Sequence, residues 1–69
     1  MDTTTAELLH SAVYKNRIMW SDLTARVMDN EGLDSSSAAN MVARLIERKS
    51  CALPVAIELI ELIVERNRN

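Results

Sequence analysis

The side chains best suited to chemistry lie in residues 33–49, LDSSSAANMVARLIERK. Read as a helix, one side of this stretch carries Ser36, Ser37, Asn40, Arg44, Arg48 and Lys49, with Glu47 as its acid. Hydroxyls, an amide and guanidinium groups are directional hydrogen-bonding groups, suited to the edges of nucleic-acid bases. The cations at the end suit phosphates. The opposite side carries Ala38, Val42, Leu45 and Ile46, with Met41 beside them. That is the spacing of a helix with one buried stripe. The same pattern also fits an ordinary solvated helix face.

Catalytic chemistry has little support. His10 has no second His or Cys near it, so no zinc site is expected and a structural role on the first helix is the default. Ser11 is its neighbour in sequence, but adjacent residues on a helix do not face each other. The lone Cys51 allows no intramolecular disulfide and no multi-cysteine metal site; it reads as a small half-buried hydrophobe. There is no glycine-rich phosphate loop and no acid pair in an expected cleft. The expectation is a protein that is not an enzyme, with no metal and no cofactor.

Four helices are needed to position these groups. The first is expected over 4–17, with Thr4 and Glu7 as a capping box. Its stripe is Leu8, Leu9, Ala12 and Val13, and Lys15 and Arg17 sit at its negative end. The second is expected over 20–31, burying Trp20, Leu23, Val27 and Met28, with Gly32 as a left-handed stop. The third spans 35–49, capped by Asp34 or by one of the serines after it. The fourth spans 53–66 with Pro54 in its first turn. It carries more apolar residues than one stripe needs, against Glu58, Glu61 and Glu65 at a solvent edge. It is therefore either a central core helix or a homodimer seam, with Leu59, Ile60, Leu62 and Ile63 as the interface candidates.

Composition agrees with an all-α, compact four-helix domain covering residues 1–69. The chain has 69 residues and is 48% apolar, with no Phe, one Trp, one Gly and one Pro. No Asn-Gly or Asp-Gly joins two alternating runs as a hairpin would. The apolar-rich run 51–64 is interrupted by Pro54, Glu58 and Glu61 and is too short to span a bilayer. With no signal-peptide pattern and one thiol, a cytoplasmic location is expected. The net charge is −2, which argues against indiscriminate binding of nucleic acid. The charge is uneven. Residues 1–34 set three cations against six acids, whereas residues 35–50 set Arg44, Arg48 and Lys49 against Glu47 alone.

The second to fourth helices resemble the Cro/repressor-like helix-turn-helix family, in particular a small, poorly characterised bacterial or phage branch of it. The residues concerned are Trp20–Val27 as the first helix of the motif and Gly32-Leu33 as the turn. Ala39-Asn40-Met41-Val42 and Arg44 form the second helix, followed by Arg48-Lys49-Ser50 and the apolar 56–63. The segment 28–35, MDNEGLDS, is longer and more acidic than the tight turn usual in the family. The resemblance implies a lambda-repressor-like fold and a small transcriptional repressor of phage, plasmid or toxin–antitoxin type. In that family the third helix enters the major groove. Ser36, Ser37, Asn40 and Arg44 would then face base edges, Asn40 pairing with adenine and Arg44 with guanine. Lys15, Arg17, Arg48 and Lys49 would contact phosphates, and a homodimer would read a palindromic site in double-stranded DNA. The competing expectation is a helical protein–protein interaction module or inhibitor that binds no DNA. It is favoured by the acidic balance and by the apolar surplus on the fourth helix. A DNA-binding regulator needs its cations on one face; an interaction module does not.

Overall fold

The structure is a computed structural model that describes residues 3–68. The described chain is all-α. Its helices are α1 (Thr3–Lys15), α2 (Trp20–Glu31), α3 (Ser35–Ile46) and α4 (Leu53–Arg66). α2 packs on both α3 and α4, and α1 packs on the same two helices from its own side. The core is aliphatic. Leu23 from α2, Leu45 from α3 and Leu59 from α4 are its largest fully buried apolar residues, and Ala6 and Val13 of α1 close over them.

Each helix starts and stops for a local reason. α2 begins after Met19, whose backbone is extended and whose side chain makes no capping bond. α2 stops at Gly32, which adopts φ +68. α3 begins at Asp34, whose side chain accepts from the Ser37 amide at 2.7 Å. Pro54 opens α4 in the first turn, where its missing N–H costs nothing.

The C-terminal ends of α1 and α3 do not use glycine. At the end of α1, Arg17 takes φ 54, its amide donates to the Tyr14 carbonyl and the Ile18 amide to that of Val13. At the end of α3, Arg48 takes φ 60, its amide donates to Leu45 and that of Lys49 to Arg44. Both are Schellman closures with an arginine at the left-handed position. They end α1 at Lys15 and α3 at Ile46, so the first helix does not reach Arg17 and the third does not reach Lys49 as the periodicity had implied. Thr4 lies inside α1 rather than capping it.

The buried stripe of α1 is also displaced. Ala6, His10 and Val13 face inward with Leu9 half-buried, while Leu8 is exposed. On α4, Leu59 is fully buried, which removes it from any dimer surface, and Leu62 and Ile63 are half-buried against the core. Of the four interface candidates only Ile60 stands well into solvent. The exposed apolar stripe of α4 is instead Leu53, Ile57, Ile60 and Val64.

α2 and α4 are registered by polar contacts. Arg26 forms an ion pair with Glu65. Glu58 is buried, and the Asn30 amide donates to it at 2.8 Å. The Glu31 carboxyl is pushed above the usual carboxylate range, first by a hydrogen bond with Glu58, then by burial and by the charges of Glu58 and Glu61. A raised carboxyl binds its proton more tightly in the folded chain. Its contribution is therefore present at acid pH and lost as pH rises through the folded value. Glu31→Gln, which keeps a donor towards Glu58 at every pH, is expected to raise the melting temperature at neutral pH. Thermal melts should show that gain shrink as pH falls into the carboxylate range. An unchanged melt at neutral pH would show that the two carboxyls do not interact.

Candidate nucleic-acid interface

α3 presents a narrow, low-relief outward face. Ser36, Ala39, Asn40, Ala43 and Arg44 are all exposed, while Ala38, Val42 and Leu45 are buried on the opposite side. The polar residues recur every fourth position with alanine between them, so no bulky side chain holds the helix away from a flat partner. An α-helix with side chains is about 10–12 Å across, which the major groove of DNA admits.

The sequence-derived site residues are not equally placed. Ser36 and Asn40 are exposed on this face. Ser37 is half-buried, and its amide and hydroxyl hold the Asp34 carboxyl below its usual value. It therefore serves the helix cap rather than a base edge. Arg44 is exposed but folded back over the end of α3, its Nε donating to the Ser50 hydroxyl at 2.8 Å. The rest of the guanidinium has no partner among the described residues. Lys49 is exposed and 3.4 Å from Glu47.

Arg48 links this end of α3 to α1. Its charge, together with the larger effect of burial, lowers the pKa of His10 below 6.5. His10 lies in an aromatic cluster, with ring centroids 5.1 Å from Tyr14 and 5.5 Å from Trp20. It is a packed core histidine. Sequence reasoning missed this cluster because it placed Leu8 rather than His10 on the buried stripe. The signal that could have found it is the spacing of Ala6, His10 and Val13, which are also helical neighbours.

Lys15 and Arg17 stand elsewhere, at the junction of α1 and α4. They line an open concavity of about 340 Å³ with Arg66 and Asn67. Arg66 caps the end of α1, donating to the carbonyls of Asn16 at 3.0 Å and Arg17 at 2.6 Å. Cys51 is buried, and burial pushes its thiol up. Among the described residues, no three His, Cys, Asp or Glu side chains gather as a metal site would require. No described helix is long and apolar enough to cross a membrane.

His10 carries a pH dependence with a defined sign. A base with a depressed folded pKa stays neutral inside, whereas the unfolded chain protonates near 6.5. Stability is expected to fall as pH drops below about 6.5 and on through the lower folded value. Arg48→Gly should raise the His10 pKa in an NMR titration without lowering the melting temperature, because glycine suits φ 60. A His10 pKa unmoved by that change would separate the two groups.

No known protein family, curated protein or solved structure matches this chain.

Proposed function

We propose that the chain is a small double-stranded-DNA-binding regulator, acting in the cytoplasm, that reads bases with α3. The observation that carries this reading is the outward face Ser36, Asn40 and Arg44, spaced by alanines and ending in Arg48 and Lys49. In this reading Asn40 pairs with adenine, and Arg44 exchanges its Ser50 bond for guanine. Phosphate contacts fall to Arg48 and Lys49. Arg48 supports this, since it keeps a cation at a backbone position where glycine is cheaper. The local charge of residues 35–50 is positive although the whole chain is at −2.

Binding to mixed genomic DNA fragments, with bound fragments sequenced, is the direct test. Enrichment of one site, weakening steeply as salt rises, is the expected result. Arg44→Ala should lower specific affinity by roughly 1–3 kcal/mol and leave the melt unchanged. Equal binding by the wild type and Arg44→Ala would remove α3 as the reader.

In this reading two copies pair through α4. Leu53, Ile57, Ile60 and Val64 lie at spacings of four, three and four, the rhythm of a helix–helix seam. The same stripe favours the second reading, an interaction module that binds protein and no DNA. Ile60→Glu should convert a dimer to a folded monomer in sedimentation. Leu59→Ala should instead destabilise the chain by roughly 2–5 kcal/mol through a core cavity. A monomeric wild type would take away the paired arrangement.

A further inference from the structure

The turn between α1 and α2 breaks local preference twice on one surface. Arg17 occupies a left-handed position that glycine fills without strain. Met19 occupies the N-cap of α2, where Ser, Thr, Asp or Asn would satisfy an amide, and it makes no such bond. Met19 is 63% exposed and Tyr14 65%. Such departures from local preference concentrate at functional sites.

The surface between these residues is hollow. Tyr14, Ile18, Met19 and Trp20 line an open concavity of about 390 Å³ with Arg17 at its rim. Arg17 also borders the 340 Å³ concavity that holds Lys15. The side chains of Lys15 and Arg17 have no partner among the described residues. Arg66 is committed to the carbonyls of Asn16 and Arg17 and holds the turn in place. Asp22 borders Arg17 on the α2 side, through a third concavity.

We propose that this corner docks an acidic peptide segment of another protein that carries one large apolar anchor. The anchor fills the hollow over Trp20, between Tyr14 and Met19. The acids meet Lys15 and Arg17. Asp22 repels acids on its own side, so the acidic part of the segment runs towards Lys15 and the end of α4. A small molecule would be enclosed by its site, whereas these hollows are open and follow one another along the surface. Phosphates gain nothing from an apolar hollow, so duplex DNA is the weaker fit. The proposal goes beyond the DNA reading and uses no α3 residue.

The test pans a phage-displayed peptide library on the full chain and measures the enriched peptides by NMR and fluorescence anisotropy. The expected winners combine acids with a single large apolar residue and shift the amides of Arg17, Ile18, Met19 and Trp20. Arg17→Gly relieves the backbone and Met19→Ser supplies a cap, so both variants should keep the fold. Each is expected to weaken the peptides by roughly tenfold. Wild-type affinity in both variants, winners without acids or anchor, or no winners at all would overturn the proposal. So would displacement of the peptide by mixed-sequence duplex DNA at moderate salt, which would make the corner a phosphate contact.

Discussion

The chain contains one glycine and has three connections to make between four helices. Gly32 serves one of them. The ends of α1 and α3 must take the left-handed conformation with arginine, at about 1–2 kcal/mol each relative to a relaxed backbone. Both ends are held by what surrounds them. Each arginine lies at the negative end of a helix, where a cation is favoured. Arg66 ties the first turn through two carbonyls, and the Lys49 and Ser50 amides tie the second by donating to the Arg44 carbonyl. These two closures set the direction in which the chain leaves α1 and α3. The entry of the chain into α2 and towards α4, and the placement of Arg17, Arg48 and Lys49, follow from them.

Within that frame the core is made of small aliphatic side chains, which fit together in more than one register. Leu23, Leu45 and Leu59 bring three helices together but do not by themselves choose an alignment. Glu58 does. A buried carboxylate is tolerable only where it finds a donor, and Asn30 supplies one at a single alignment of α2 on α4. The Arg26–Glu65 pair lies nearer solvent and adds little energy, but it agrees with the same alignment.

Much of this was legible in the sequence. The bounds of α2 and α4, the Gly32 stop and the burial of Ala38, Val42 and Leu45 on α3 follow from periodicity and capping chemistry, and Asp34 is one of the four caps the sequence offers; Ile46, expected on the same stripe, is exposed at the last position of α3. The ends of α1 and α3 were not legible, because arginine is a good helix former and gives no stop signal. On α1 both Leu8 and His10 fit a stripe, and only the tertiary partners Tyr14 and Trp20 make His10 the inward one. On α4 apolar residues surround much of the helix, so sequence alone could not separate Leu59, which faces the core, from Ile57 and Val64, which do not. At the candidate interface, Ser36 and Asn40 lie where helix phase put them, but Ser37 is drawn to the cap and Arg44 is drawn back to Ser50. Those are side-chain hydrogen bonds, and spacing carries no record of them.

Several of the least economical choices in this chain lie on its surface. Glycine would be easier at Arg17 and Arg48, a hydroxyl would be easier at Met19, and polar residues would be easier at Leu53, Ile57, Ile60 and Val64. None of these residues is needed to fill the core. A small domain has little stability to spare, so groups that cost backbone strain or expose apolar area are not explained by folding. Their shared property is outward-facing chemistry, cationic at two helix ends and apolar along α4 and at the α1–α2 turn. The acidic balance of the whole chain sharpens this. Where most of the surface repels anions, a few cations fixed by backbone closures make attraction local, and a partner must meet them at a defined place rather than anywhere on the surface.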